Sequence, residues 1–510
     1  MDETLLKQKV SRLIVPAALI LPVLLMTANL TYDEWWSLLN FAPLSTLRIL
    51  TDLSLPNNHP LNTLCLKILH NFSSAPLILR LSSLISGAFV PLLCGEMAWK
   101  WSRKNRMGAF VSAAVLSMLC MPLAVYSGVA RGYMLQLFFL LLCVWAMSSA
   151  KDDPRRAAVW CVVGGMGTIL SVPTGALFLL PAGIGYLIYS GSKERKSKAM
   201  WIAAGILAVF AGIFYGINFQ ALRAGQKWGE EISSVAGFGS FLYVTLTALV
   251  FLPVFLASVP AWIFRPERLL AAGLLMLPLV LALFSNAGPA RTYLYLPAAI
   301  AVAAGIGIAE SAAKFKKPVL LSGILAIVLG AGGIFMQYSE WKMVDYAAEF
   351  SKVNKELPAD VLPVYRASCG YPIICGVYQD ELMQFDHRMA RGDFRRIACM
   401  ESVPGEINAL DENQSETNVM CGILGEPGKA GNLSCMIYEL HPVETAEIRP
   451  GKGYLLLMPA KKAAVEGLKK NGRFLYLNAW FAKSAVMVLW LPEHTVKNVP
   501  DDCRIWRIGR

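Results

Sequence analysis

Four short stretches carry side chains able to do chemistry. Asp33 and Glu34 stand together in Asn29-Leu30-Thr31-Tyr32-Asp33-Glu34-Trp35-Trp36, directly after a long apolar run. A carboxylate at the rim of an apolar site is placed to take a proton as a general base; the plain alternative is a pair of interfacial acids. His59 lies in Pro56-Asn57-Asn58-His59-Pro60-Leu61-Asn62, held extended by the proline after it. Its ring suits a phosphate, a sugar hydroxyl or a metal, or simply fills a turn. Arg131 lies in Tyr126-Ser127-Gly128-Val129-Ala130-Arg131-Gly132-Tyr133, and Arg291 in Pro289-Ala290-Arg291-Thr292-Tyr293-Leu294-Tyr295-Leu296-Pro297. Both stand at the start of an apolar run, where an arginine is costly unless it reaches the interface or pairs. The guanidinium fork matches a phosphate; an interface anchor is the alternative.

The elements that position these residues are membrane spans. The chain has 510 residues, 55% of them hydrophobic, and a crossing helix needs roughly 20 apolar residues. Such runs lie near 12–30, 77–97, 108–127, 133–149, 157–173, 175–190, 200–219, 241–263, 269–286, 292–310 and 318–337. Residues 157–190 read either as two short helices broken around Ser171-Val172-Pro173-Thr174-Gly175 or as one kinked helix.

Charge placement chooses between them. With a cytoplasmic N-terminus the inside loops hold Lys7, Lys9 and Arg12; Lys100, Arg103, Lys104 and Arg106; Lys151, Arg155 and Arg156; Lys193, Arg195, Lys196 and Lys198; Arg265 and Arg268; and Lys314, Lys316 and Lys317. Every inside loop is basic, as the positive-inside rule requires. Merging the two helices would destroy this alternation, so about eleven spans and an outside C-terminus are expected. The formal charge of +12 is therefore topological, which argues against a nucleic-acid partner. Met1 to Leu30 lacks a small-x-small cleavage site and reads as a retained first helix.

The first outside loop, residues 31–76, is rich in Trp and Leu and reads as short helices in the membrane interface. Residues 338–510 read as a small extracytoplasmic α/β domain, with strands at Val361–Tyr365, Ile373–Tyr378, Gly453–Met458, Phe474–Leu477 and Val486–Leu491 and a helix over Ala460–Lys470. The stretch 402–432 reads as loop. Cys65, Cys94, Cys120, Cys143 and Cys161 lie in or near spans and read as packing. Cys369, Cys375, Cys399, Cys421, Cys435 and Cys503 lie in the outside domain, where an exported compartment allows disulfides in pairs the sequence does not specify, a zinc site being the weaker alternative without a CxxC pair.

The four stretches occur in a recognisable order: an Asp-Glu pair after the first span, a His-Pro-Leu motif in the same loop, Tyr-Ser-x-x-Ala-Arg-x-Tyr opening the fourth span, and Arg-x-Tyr-Leu-x-x-Pro opening a late one. The combination resembles the C-type superfamily of membrane glycosyltransferases, in particular family 39 with the protein O-mannosyltransferases and lipid A aminoarabinose transferases. The resemblance covers roughly residues 10–310. Leu61, Asn62 and Thr63 stand where the family has Pro, Leu and aromatics, and Val129 stands where it often has Glu.

The resemblance implies an all-α polytopic membrane bundle, residues 1–337, followed by the outside domain, residues 338–510. It implies a sugar donor linked to a polyprenyl phosphate and an acceptor that is a lipid, a polymer or a protein. Asp33 is then the base, and Glu34 orients the acceptor. Arg131 and Arg291 bind the donor phosphate, and His59, Tyr133 and Tyr293 shape the pocket. No cofactor motif is visible; Asp33, Glu34 and His59 could form a divalent-metal site, at unspecific spacing. The setting is a bacterial inner or plasma membrane. A non-catalytic binding relative and a lipid-linked sugar transporter are the rival readings.

Overall fold

Prolines set many of the helix starts, because a proline in the first turn removes only an amide that has no helical partner there. The computed structural model describes residues 3–53, 58–189, 197–225, 243–263, 290–343, 345, 348, 361–365, 395–402, 428–430, 433–444, 454–458, 472–476, 486–490 and 504–509. These fall into two units: Met1–Ala28 with Trp36–Val344, and Asn29–Trp35 with Asp345–Arg510.

The first unit is helical. It begins with α1 (Glu3–Ala17) and α2 (Ile20–Leu25). α3 (Tyr32–Asn40) enters it from the second unit and is followed by the short helices α4 (Thr46–Thr51), α5 (Pro60–His70) and α6 (Pro76–Leu79). Then come α7 (Leu81–Trp101), α8 (Arg106–Met118), α9 (Met121–Ser127), α10 (Gly132–Ser149), α11 (Pro154–Ser171) and α12 (Gly175–Tyr189). The series continues with α13 (Lys198–Ile217), α14 (Phe219–Gly225), α15 (Tyr243–Leu249) and α16 (Leu252–Ile263). After a 3-10 turn at Ala290–Tyr293 it closes with α17 (Tyr295–Ala312) and α18 (Pro318–Trp341).

Among the described residues, six helices are long and apolar enough to cross a membrane, or up to eight when each bent pair is one span. The chain is a multi-pass membrane protein. The break around Val172-Pro173-Thr174 is present, and the expected span at 269–286 lies outside the described residues. Two expected single spans are broken. Residues 108–127 bend by 64° between α8 and α9, and 241–263 by 94° between α15 and α16. Pro122 and Pro253 sit in the first turns of α9 and α16, where each can open a helix but, lacking an amide and clashing with the carbonyl four residues earlier, cannot continue the one before it.

Burial separates the core of the bundle from its lipid face. The stretch Ala290–Ala312 is 94% buried, whereas Lys198–Ile217 and Pro318–Trp341 are 17% and 22% buried. α17 owes this to small residues. A Cβ on Gly305 would come 2.6 Å from the backbone nitrogen of Ala113, and one on Gly307 2.3 Å from the carbonyl of Ala257. Such residues let helices approach closely where lipid supplies no hydrophobic drive. Asn105 adds a polar clasp: its amide donates to Ala309 O and to Ser322 Oγ, both at 3.2 Å, joining α8, α17 and α18. Lys7 and Glu96, 2.7 Å apart, pin α1 to α7.

The second unit holds an eight-stranded sheet. Its strands are β1 (Val361–Tyr365), β2 (Arg396–Ser402), β3 (Gly428–Ala430), β4 (Leu433–Pro442), β5 (Tyr454–Met458), β6 (Gly472–Tyr476), β7 (Val486–Trp490) and β8 (Arg504–Gly509). The order is β1-β2-β4-β8-β5-β7-β6, with β3 beside β4. Among the described residues only the β1–β2 pair is parallel. Sequence periodicity located β1, β5, β6 and β7 and missed β2, β4 and β8, whose runs mix Arg, Glu, Ser and His with the apolar residues; it also missed β3, a three-residue strand inside the stretch 402–432 expected as loop. The helix expected over 460–470 and the strand over 373–378 lie outside the described residues. So do Cys369, Cys375, Cys421 and Cys503, and the side chains of Cys399 and Cys435.

Candidate functional site

α10 begins where α9 ends against α7, and the four residues between carry the key cation. Arg131 stands in extended backbone (φ −132°, ψ 153°) just ahead of α10. Its amide donates to Val129 O at 2.7 Å, and its own carbonyl accepts from Ser83 Oγ at 3.3 Å. The side chain is 2% exposed. One guanidinium nitrogen donates to Ser37 Oγ on α3 at 3.1 Å.

Gly132 follows, and only glycine fits. A Cβ there would lie 2.1 Å from Ser171 O and 2.6 Å from His59 Nδ1. Its amide donates to His59 Nδ1 at 2.8 Å. A ring nitrogen that accepts carries no proton, so the neutral His59 holds its proton on Nε2. His59 is therefore a hydrogen-bond donor at that nitrogen, rather than a base.

The surrounding amides hold this arrangement. Asn58 Nδ2 donates to Ile49 O at 2.9 Å and Asp52 O at 2.7 Å, closing the C-terminal end of α4, and its Oδ1 accepts from Thr63 Oγ1 at 3.1 Å. Asn62 Nδ2 donates to Ala130 O at 2.9 Å. Asn62, one of the residues that departs from the family pattern, thus fastens the loop ahead of Arg131. These two asparagines were not among the expected site residues; their closeness to the His-Pro pair was the available signal.

Tyr133 is the hub. Its ring lies edge-on to His59 at 4.7 Å and to Tyr126 at 5.5 Å. The guanidinium of Arg131 is 5.8 Å from its centroid, and that of Arg291 is 5.9 Å away. Arg291 Nε also donates to the Tyr133 hydroxyl at 3.1 Å. Two arginines 160 positions apart in sequence therefore flank one tyrosine. Cations near an aromatic ring gain from its quadrupole. Tyr293 is fully buried and sits 6.4 Å, ring to ring, from Tyr295, so it supports the Arg291 turn from behind. Arg80 is also buried; its guanidinium donates to Thr27 O at 2.6 Å and Thr27 Oγ1 at 3.2 Å.

The acids belong to the second unit. Glu34 is fully buried, and its Oε2 accepts from the Thr31 amide at 2.7 Å. Thr31 precedes α3 and Glu34 is its third residue, so Thr31-Tyr32-Asp33-Glu34 closes a capping box. That pattern was legible in the sequence and gives Glu34 a structural duty. Asp33, at the second position of α3, is partly exposed. It lies four residues before Ser37, hence on one helical face with it. Among the described residues no group of three His, Cys, Asp or Glu is gathered as a metal site.

No family model and no curated protein matches the chain. It is similar to the solved structure of ArnT from Cupriavidus metallidurans in the apo state, with 12% identity over 85% of this chain and 97% of that one and a TM-score of 0.44. The same protein bound to undecaprenyl phosphate gives 10% identity, the same coverage and a TM-score of 0.44. The oligosaccharyltransferase of Archaeoglobus fulgidus, tethered to an acceptor peptide, gives 12% identity over 69% of this chain and 57% of that one, with a TM-score of 0.42. Likenesses of this size carry no weight for function, which rests on the residues.

Proposed function

We propose that the chain is a membrane glycosyltransferase that moves a sugar from a polyprenyl-phosphate donor to a lipid, polymer or protein acceptor on the outer face of the membrane. The observation that carries this reading is the convergence of Arg131 and Arg291 on Tyr133 beside His59. The lipid phosphate that leaves is a stable anion, so the donor needs charge stabilisation more than an acid. Arg131 and Arg291 supply it, and His59 Nε2–H donates to the donor.

Asp33 takes the proton of the acceptor hydroxyl as its oxygen attacks the anomeric carbon. The bond from that carbon to the phosphate oxygen breaks, and its electron pair leaves with the lipid phosphate. Direct displacement inverts the anomeric centre. Glu34 holds α3 in the form that presents Asp33. The N-terminus is cytoplasmic and the C-terminal unit extracytoplasmic.

The test is transfer of radiolabelled pentoses and hexoses from undecaprenyl phosphate in membranes, with mass spectrometry of glycolipids and glycoproteins in cells with and without the chain. Asp33→Asn is expected to retain donor binding and lose at least about a hundredfold in turnover, the low end for a general base. Near-normal turnover in the purified variant refutes the assignment.

The two bent helix pairs favour a second reading, carriage of a lipid-linked sugar, since broken helices mark transporter sites. Their breaks fall at apolar residues, Val250-Phe251 and Leu119-Cys120. In proteoliposomes a carrier moves the labelled donor across the bilayer without forming a sugar–acceptor product; a transferase forms the product.

A further inference from the structure

Residues 29–35 belong with 345–510 rather than with the helices on either side of them in sequence, and one contact accounts for how their leading end is held. The Asn29 amide donates to Asp345 Oδ2 at 3.0 Å, and Asn29 Nδ2 donates to Oδ1 at 3.1 Å and to Oδ2 at 3.3 Å. Asp345 Oδ1 also accepts from the Ala348 amide at 3.0 Å, which fixes the carboxylate in its own turn. Downstream, Glu34 closes on the Thr31 amide. The six residues from Asn29 to Glu34 are therefore clamped at both ends, and Asp33 lies inside the clamp.

A carboxylate that accepts backbone and side-chain N–H groups from one residue fixes both the position and the direction of that residue. Sub-ångström errors in a catalytic group cost large factors in rate. We propose that Asp345 is a positioning residue for Asp33: the opening residue of the C-terminal segment sets where α3 starts and so where the base is aimed. The inference rests on the assignment of Asp33 as the base. It gives the C-terminal unit a part in turnover that is separate from any acceptor binding.

The experiment uses the full-length protein in nanodiscs, with undecaprenyl phosphate carrying radiolabelled sugars as the probe. Asp345→Ala is expected to lower kcat about tenfold with the donor KM within threefold, and to speed hydrogen exchange over residues 29–40. Asn29→Asp, which sets two carboxylates against each other, is expected to do the same. The exchanged pair Asn29→Asp with Asp345→Asn restores an amide-to-carboxylate contact and is expected to recover kcat to within threefold. On an Asp33→Asn background, Asp345→Ala is expected to cost nothing more, because groups acting as a unit are not additive.

Full kcat for Asp345→Ala beside a dead Asp33→Asn overturns the positioning role and leaves the base in place. So does an additive loss in the double variant, or an exchanged pair no better than Asn29→Asp alone. Full turnover for Asp33→Asn overturns the base assignment itself, and this inference with it. If Asp345→Ala fails to reach the membrane, Asn29→Asp and the exchanged pair decide the matter.

Discussion

Around Tyr133 the chemistry is set by which atoms are already engaged. The Tyr133 hydroxyl accepts from Arg291 Nε, so Tyr133→Phe removes one charge-assisted hydrogen bond and keeps the ring between the two arginines. Such a bond is worth about 1.5–3 kcal/mol. The expected outcome is a donor KM raised about tenfold or more, with kcat changed much less, read from initial rates over a donor series. Glu34 makes a contrasting case. Glutamine can also close a capping box, so Glu34→Gln is expected to keep turnover within about fivefold while Asp33→Asn loses a hundredfold. Equal losses in the two variants, measured side by side, would return Glu34 to the chemistry.

At the scale of elements, the loop over residues 31–76 is a scaffold that delivers Ser37 to Arg131 and His59 to Gly132 and Tyr133. Its short helices are individually marginal, because helices of this length do not hold in isolation. They are joined by side-chain amides that close backbone ends. Asn58 satisfies the carbonyls of Ile49 and Asp52 at the end of α4 and takes the Thr63 hydroxyl. Asn58→Ala leaves those buried groups without it, at about 1–3 kcal/mol for each group left unsatisfied. The expected result is a lower thermal midpoint in detergent together with a raised donor KM, since His59 is the next residue. A lower midpoint with unchanged KM would mean that the loop supports the fold but not the site. Asn58 was visible in the sequence only as one of a polar run, because none of its three hydrogen-bond partners is adjacent to it in the chain.

Over the whole molecule, the orientation rests on the basic loops, and it is open to a direct measurement. Ser74 is exposed in the first outside loop, and Lys316 is exposed between α17 and α18. In intact cells a membrane-impermeant maleimide is expected to label Ser74→Cys and to spare Lys316→Cys until the membrane is opened. The reverse pattern would invert the molecule and move the site to the cytoplasmic face. The same scale explains the unequal helix surfaces: α17 is walled in by neighbours, while α18 presents Phe335, Val328 and Ile327 to its surroundings, as a lipid-facing helix should.

Span positions, basic loops and the four motif stretches could all be read from the chain because each depends on local composition. A crossing helix needs a run of apolar residues, and a retained loop needs its lysines and arginines, wherever the rest of the molecule lies. The convergence of Arg131 and Arg291 could not be read that way. Both looked like interface anchors, and only the fold brings the two guanidiniums within 6 Å of one tyrosine ring. Two further features were decided by tertiary structure: the fixed proton on His59, which depends on an amide 73 residues away in sequence, and the tie of Asn29 to a carboxylate 316 residues away. Sequence patterns report on neighbours along the chain, and these contacts join atoms that share no neighbourhood until the chain has folded.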